Sequence, residues 1–249
     1  MDNSNHDTAI LNATNEAKQV STISEFWQLT DSAKLEAEYA ASNYVTYLET
    51  APISALIHIF HEYRFFIKYF ISDLGILQYK APFGKFKCMI AQIAVDELGQ
   101  EPEECHLNLW DNFLVSLGDD REYLDNSEYP ENIELLKNLS SWMLQRGFMF
   151  GVGLRGMGAE CLCQIYLSAA YKRLRLNPEI IEKESEIDWL FWEIHTGEED
   201  KVHDRMVRNT IDEILHKDPT QLTELVVGYQ LAKQNWDSFW GNLHQRFAG

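Results

Sequence analysis

The sequence has 249 residues, of which 45% are hydrophobic and 12% aromatic, so it can bury a substantial core and is not disordered as a whole. Its formal net charge of −18 argues against nucleic acid or an anionic membrane surface as the main partner. No apolar run is long enough to span a bilayer, and the polar, acidic residues 1–7 do not resemble a signal peptide. We therefore expect a cytoplasmic protein.

The four cysteines are Cys88, Cys105, Cys161 and Cys163, and each lies in an apolar or helical run. The spacing of Cys161 and Cys163 differs from that of a CxxC redox motif. These features predict reduced thiols, as is usual in the cytoplasm.

Residues 1–20 are polar and weakly patterned, which predicts a flexible N-terminal arm. From Ser24 onward apolar residues recur at helical spacing, and we find no strand-like alternation and no glycine-rich phosphate loop. The pattern indicates an all-α domain over residues 21–249.

An early helix over about 53–74 is apolar nearly all round, so we expect it to be largely buried. Glu62 lies inside this run, where a carboxylate is costly unless it is paired or ligated. It is therefore a candidate metal ligand, with His61 as its rival. For His61 the ordinary alternative is a histidine of the core or its rim.

The helix expected over about 85–99 has a buried stripe through Ile90 and Ile93 that Glu97 continues. Gly99 and Pro102 are expected to end this helix and start the next. His106 lies on the apolar face of that next helix. Glu97 and His106 are therefore both predicted to point inward.

Four glycines occur between residues 151 and 158 of a long apolar helix, each costing about 1 kcal/mol relative to alanine. Close approach of another helix, or of a ligand, would offset that cost. Arg155 is either a clamp for a substrate carboxylate or half of an interhelical ion pair. Glu160 is the only charged residue between Arg155 and Lys172, which makes it a strong candidate ligand.

An aromatic run starting at Trp189 leads into His195, Glu199, Asp200 and His203. On one continuous helix Glu199 lies about 40° and His203 about 80° from His195, so one face presents imidazole, carboxylate and imidazole. Asp200 lies about 140° away on a regular helix, and a π-bulge would bring it onto the same face.

Together these groups form a set of buried or half-buried polar side chains from five helices. The set is Glu62, Glu97, His106, Glu160, His195, Glu199 or Asp200, and His203. Helical bundles build dinuclear carboxylate sites in this manner, and such ligands suit iron, manganese or zinc. A competing template uses two Glu-x-x-His motifs, here Glu103-x-x-His106 and Glu213-x-x-His216, but it leaves Glu160 and His195 unexplained.

Residues 50–215 resemble the haem-oxygenase-like diiron oxidases and oxygenases. The run from Asp96 to Gly99 followed by His106 is similar to the family's Asp-Glu-Leu-Gly…His pattern, and Glu160 matches its lone glutamate. The end of the family's His-x-x-x-Asp-x-x-His motif is present as Asp200-x-x-His203. One extra residue separates His195 from Asp200, so either Glu199 or Asp200 is the ligand, and the intact Asp-x-x-His favours Asp200.

The resemblance implies a single haem-oxygenase-like bundle of roughly seven to eight helices that binds two Fe(II) ions, the second labile, and uses O2. Its implied partner is a small-molecule substrate, and a homodimer is possible. Among known family chemistries we favour oxidation of an amino acid, with rearrangement of a halogenated tryptophan to an indole nitrile in natural-product biosynthesis as the first to test. The alternatives are a fatty-acid oxidative decarboxylase or desaturase, a metal-free thiaminase-like hydrolase with a nucleophilic cysteine, and a helical binding module.

Overall fold

Helices make up most of the chain in the computed structural model, which describes residues 4–196 and 199–247. The side chains of residues 4–7, Glu160 and residues 199–204 lie outside that description. Within the described ranges there is no β-strand. The prediction of an all-α fold is therefore confirmed.

The described residues form twelve α-helices, so the expected number of seven to eight was too low. They are α1 (Ser4–Ala17), α2 (Ile23–Tyr44), α3 (Ile53–Lys80), α4 (Lys85–Leu98), α5 (His106–Leu117), α6 (Pro130–Gln145), α7 (Phe148–Gly151), α8 (Gly158–Leu174), α9 (Pro178–Glu182), α10 (Leu190–His195), α11 (Glu199–Lys217) and α12 (Leu222–Phe247). A π-helix, Val152–Met157, joins α7 to α8. The number is higher because stretches expected to be single helices are divided.

The N-terminal segment differs from the flexible arm predicted for residues 1–20. Residues 4–17 form α1, which packs against α12, and Ala13 and Ala17 are fully buried. Small side chains let the two helices approach closely, so α1 is held by packing although its sequence has few large apolar residues.

The C-terminal helix α12 lies at the centre of the bundle. Eight consecutive residues, 225–232, are buried, so every face of the helix is covered along this stretch. Its neighbours include α1, α2, α7, α8 and the π-helix. The helix is therefore the axis around which much of the fold is packed.

The glycine-rich stretch allows α12 to approach closely. A methyl group on Gly153 would lie 2.1 Å from the carbonyl oxygen of Leu225, and one on Gly228 would lie 2.1 Å from that of Phe150. These distances are far shorter than any real contact. The sequence left two explanations for these glycines, close approach of another helix or of a ligand. Close approach of another helix is the one observed.

Replacing Gly153 by alanine is expected to lower the free energy of unfolding by about 1–3 kcal/mol or more, because the new methyl group overlaps backbone that cannot move independently. Gly75→Ala is the matched control, since Gly75 lies in α3 with nothing within 4 Å of the added carbon. That variant should gain about 0.5–1 kcal/mol from helix propensity. Urea denaturation of both variants measures the difference, and equal stabilities would contradict the packing argument.

The prediction of one continuous helix across His195 and His203 was wrong. Helix α10 ends at His195, Thr196 forms a turn, and α11 begins at Glu199. The Thr196 hydroxyl donates to the Trp192 carbonyl at 2.7 Å, which satisfies an acceptor at the end of α10. The angles between His195 and the later residues on a single helix therefore do not apply.

All four cysteines are free thiols: Cys88 is exposed, Cys105 and Cys163 are half-buried, and Cys161 is buried. This agrees with the expectation of reduced thiols. Among the described helices none is both long and apolar enough to cross a membrane.

Candidate metal centre

A tight turn between α4 and α5 brings the first two candidate ligands together. Gly99 ends α4 with a φ of +70°, a conformation that favours glycine, and a methyl group there would lie 2.4 Å from Cβ of Glu104. The Glu104 carboxylate accepts the Gln100 backbone N–H at 2.8 Å and so fixes the turn. Glu97, near the end of α4, therefore faces His106, the first residue of α5.

Glu97, His106 and His195 converge in the interior of the bundle. One ligand atom from each lies within 4.8 Å of the other two, and the residues are only 5%, 8% and 6% exposed. His106 Nδ1 donates to Glu97 Oε2 at 2.9 Å, and the rings of His106 and His195 have centroids 4.6 Å apart. We refer to these three residues as the buried triad.

The donor atoms of the buried triad fit a redox metal such as iron. His195 Nδ1 donates to the Phe191 carbonyl at 2.8 Å, so the Nε2 lone pair of His195 is available to a metal. His106 Nδ1 donates to Glu97, so the Nε2 lone pair of His106 is available as well. Two imidazoles and one carboxylate with open positions are the ligand set of many non-haem Fe(II) oxygenases. The residues present therefore fit an iron ion.

A small cavity of about 30 Å³ lies beside the triad. Its lining is largely aromatic and aliphatic, with Glu97 and His195 on one side: Tyr63, Phe66, Ile67, Phe70, Glu97, Ala159, Cys163, Phe191 and His195. The volume exceeds the roughly 10–15 Å³ that a cavity needs to hold one water molecule, so a water-sized molecule fits without any rearrangement. Among the described residues no lysine or arginine lines it.

A sequence profile for a family described as iron-containing redox enzymes matches residues 53–237. The chain belongs to this family. The matched range includes all three residues of the buried triad, and in the family context their convergence makes iron the expected metal. No curated protein matches the sequence.

Solved structures similar to this family member share its fold at low identity. A CADD-like protein of unknown function from Nostoc punctiforme has a TM-score of 0.72 and 18% identity, covering 90% of this chain and 99% of that one. A domain of unknown function from Shewanella denitrificans with a haem-oxygenase-like fold has a TM-score of 0.70 and 15% identity, covering 91% and 95%. A TenA family transcription regulator from Silicibacter has a TM-score of 0.62 and 14% identity, covering 88% and 96%. The haem-oxygenase-like fold is thus confirmed, and it is shared by proteins with other functions.

The structure does not bring Glu62 to the buried triad. The Glu62 carboxylate accepts hydrogen bonds from Ser127 Oγ at 2.8 and 2.9 Å and from the Glu128 backbone N–H at 2.8 Å. Its rival His61 pairs with Asp119, Nδ1 to Oδ2 at 2.8 Å. Both residues line a separate cavity, which lies at the polar connection between α5 and α6.

Glu62→Gln is expected to leave iron binding unchanged, because Glu62 is held by Ser127 and Glu128 rather than by the triad. Burial raises the pKa of the Glu62 carboxyl, although the bonds from Ser127 and Glu128 oppose that rise. The folded state then holds the proton more tightly than the unfolded chain. The stabilisation by Glu62 is thus fully present below the ordinary glutamate pKa of 4.5 and is lost as the pH rises through the folded-state pKa.

The measurement is urea denaturation of both proteins at a series of pH values, with iron titration alongside. As the pH rises, the free energy of unfolding of the wild type should fall relative to that of the glutamine variant. Loss of an iron equivalent from the variant would instead make Glu62 a ligand.

Arg155 forms a buried ion pair rather than facing the cavity. Its Nε and Nη2 donate to Asp73 Oδ2 at 2.8 and 2.5 Å, and both residues are 1% exposed. The guanidinium also lies over the ring of Phe66, 5.6 Å from its centroid. The interhelical ion pair, one of the two sequence-based alternatives, is therefore the one observed.

The remaining candidate ligands have side chains outside the described residues: Glu160 in α8, and Glu199, Asp200 and His203 in α11. The choice between Glu199 and Asp200 stays a prediction. Of the competing Glu-x-x-His template, Glu103 is exposed while His106 is buried. Glu213 pairs with Lys85 at 2.7 Å and with Lys217 at 2.9 Å. Neither glutamate of that template is directed to the triad.

The sequence interpretation missed the residues that line the cavity, in particular Tyr63, Phe191 and Cys163. Tyr63 Oη lies 3.4 Å from Cys163 Sγ, which joins α3 to α8 at the cavity wall. A signal was available on α3, because the lining residues 63, 66, 67 and 70 follow the spacing of one helix face.

Proposed function

We propose that this family member is a non-haem diiron oxidase or oxygenase that uses O2 to oxidise a small amino-acid-type substrate. The observation that supports it most is the buried triad of Glu97, His106 and His195 beside an aromatic cavity. A second iron ion would take its ligands from Glu160, Glu199 or Asp200, and His203. Bound iron supplies the redox chemistry that activates O2.

The chain's own residues prepare the site for that chemistry. The Phe191 carbonyl holds the His195 ring in the tautomer that leaves Nε2 unprotonated. Glu97 does the same for His106. The apolar wall of Phe66, Phe70 and the other lining residues excludes bulk water, which protects reactive species from side reactions.

The apolar cavity wall favours a substrate with an aromatic or aliphatic side chain, and the wall would have to move apart to admit it because the cavity holds only a water-sized molecule. Its described lining contains no lysine or arginine, and Arg155 is paired with Asp73, so none of the described lysine or arginine side chains is placed to bind a substrate carboxylate here. Among the described residues, the metal site itself is what remains for an acidic group. Halogenated tryptophan is the first amino-acid substrate to test, with oxidation in natural-product biosynthesis as the context, and a fatty acid is the second because the wall is apolar.

One observation favours a second candidate, a metal-free hydrolase of the thiaminase-like kind. Cys163, which the sequence placed in an apolar run, lines the cavity and contacts the Tyr63 hydroxyl. A thiol in this position could act as a nucleophile. Cys163→Ser would abolish such a hydrolase but leave iron binding intact.

Anaerobic titration with Fe(II), followed by addition of O2 and each candidate substrate, tests the proposal. We expect about two equivalents of iron, the number that a dinuclear bundle site binds, and substrate-dependent O2 consumption with an oxidised product detected by mass spectrometry. Binding of a single equivalent would replace the diiron site by a mononuclear one. No iron binding, together with thiol-dependent hydrolysis, would favour the second candidate.

A further inference from the structure

An aromatic contact connects the buried triad to the indole of Trp110. The ring of Phe191 stacks on the His195 ring, with centroids 3.9 Å apart, and its centroid lies 4.7 Å from that of Trp110. Trp110 is fully buried, and its centroid is also 5.0 Å from that of Tyr63 in the cavity wall. An oxidisable side chain thus lies one phenylalanine ring away from a candidate metal ligand.

From Trp110 a row of oxidisable rings leads outward. The centroid distances are 5.3 Å from Trp110 to Trp192, 5.7 Å from Trp192 to Tyr171, and 5.6 Å from Tyr171 to Trp189. Trp192 is fully buried, whereas Tyr171 and Trp189 are half-buried. We call Trp110, Trp192, Tyr171 and Trp189 the aromatic row; it extends from the centre to the surface.

Such a row suits electron transfer. Tryptophan and tyrosine are the most easily oxidised aromatic side chains, and tunnelling rates fall exponentially with distance, so short hops between neighbouring rings outrun one long step. The Trp110 N–H donates to the Phe60 carbonyl at 2.9 Å. Within the described part of the chain the Trp192 N–H has no hydrogen-bond partner. Since the one indole N–H meets a carbonyl and the other meets no described base, the oxidised ring keeps its proton and can be reduced again.

We propose that the aromatic row is an electron-transfer route between the metal centre and the protein surface. In each event Trp110 would give one electron to the metal centre, Trp192 would then reduce Trp110, Tyr171 would reduce Trp192, and Trp189 would reduce Tyr171. A soluble one-electron donor then reduces Trp189. Tyr171 lines an open groove between α2 and α8, so its phenolic proton passes to water and returns when the ring is reduced.

No bond in the protein is made or broken overall, since one electron enters at Trp189 and one reaches the metal. The role of the row rests on the proposed iron-dependent function, because that function supplies the oxidant. Its consequence is protection: an oxidising equivalent formed without substrate leaves the cavity instead of damaging its lining.

The outer end of the row indicates which donors can approach. Arg175 lies over the Trp189 ring, 4.8 Å from its centroid, and is itself ion-paired with Glu184. The local charge of this pair is therefore balanced, while the protein as a whole has a net charge of −18. We expect neutral or cationic one-electron donors to react faster than anionic ones.

Photo-oxidation of the metal-free full-length protein tests the route in reverse. Illumination of tris(bipyridine)ruthenium(II) with hexaammineruthenium(III) as quencher produces a cationic one-electron oxidant at the acidic surface. In the wild type we expect oxidised products at Trp189 and also at Tyr63 and Cys163 in the cavity, mapped by peptide mass spectrometry. In Trp192→Phe the products at Tyr63 and Cys163 should fall to the level of a dark control, while those at Trp189 persist.

Trp240→Phe is the matched control. Trp240 is also buried, its N–H also has no partner among the described residues, and its centroid lies 5.8 Å from that of Tyr63, but it lies outside the row. This variant should give the wild-type pattern. Circular dichroism checks that both variants fold.

Three results would overturn the assignment: equal cavity oxidation in Trp192→Phe and the wild type, an equal loss in Trp240→Phe, or no cavity oxidation in the wild type. Because the protein carries no iron in this experiment, a failure of the route is distinguished from a failure of the proposed function. The latter is judged by iron titration alone.

Discussion

A His195→Ala variant is expected to lose iron binding and O2 consumption while its helical circular-dichroism signal stays nearly unchanged. His195 supplies one of the three converging ligand atoms, and its ring is already oriented by the Phe191 carbonyl. Loss of an outer partner of a metal ligand costs about 10–100-fold in affinity, so removal of the ligand itself should cost more than about 100-fold. Anaerobic Fe(II) titration measures the effect.

His216→Ala is the matched control for that experiment. His216 is exposed, and its Nδ1 donates to the Asp212 carbonyl at 2.6 Å, so it lies on the surface of α11. Its replacement should change neither iron content nor O2 consumption. Wild-type iron binding by His195→Ala would remove His195 from the ligand set. A loss in His216→Ala alone would revive the Glu-x-x-His template.

The largest loss of stability is expected from Arg155→Ala. The variant leaves the Asp73 carboxylate buried without its charge partner, and breaking a buried ion pair on one side costs about 3–5 kcal/mol. Urea denaturation followed by circular dichroism gives the free energy of unfolding. The iron affinity of the fraction that stays folded should change much less than in His195→Ala, because Arg155 is paired with Asp73 and is not among the triad.

Two further variants separate the buried pair from general effects of charge removal. Replacing both partners with apolar residues, Arg155→Met with Asp73→Leu, should recover most of the loss, since no charge then remains unpaired. Lys217→Ala removes a partner of Glu213 in an exposed i, i+4 pair and should leave the free energy of unfolding nearly unchanged, because solvent screens such a pair. Similar losses in Arg155→Ala and Lys217→Ala would mean that the buried pair contributes little.

The sequence was informative where a polar residue interrupts an apolar stripe. Glu97 continues the buried face of α4, and His106 lies on that of α5, so their inward orientation could be inferred from spacing alone. Gly99 and Pro102 marked the turn that joins them. For this pair local patterning and the tertiary structure agree.

Glu62 shows why the same reasoning fails elsewhere. It is as deeply buried as predicted, but its hydrogen bonds come from Ser127 and Glu128, which are 65 and 66 residues away in sequence. A buried carboxylate needs partners, and the sequence does not say whether they are a metal or the donors of a distant connection. Only the tertiary structure distinguishes the two.

The π-helix and the break after His195 were equally hidden. A π-bulge near Asp200 was one of two alternatives and stays a prediction, whereas the π-helix found in the described residues is Val152–Met157, where Gly153 contacts α12. The glycines signalled close approach, but the partner helix lies some 70 residues later. Helix irregularities that are set by such distant contacts leave little trace in local periodicity.

The central position of α12 has a consequence for how the protein is made. Chains are synthesised from the N-terminus, so Glu97, His106 and His195 all leave the ribosome before residues 222–247. Until then α1, α2 and the π-helix lack the surface on which they pack, and their apolar faces are exposed to other molecules in the cell. The packing around the triad is therefore completed only once residues 222–247 have been synthesised.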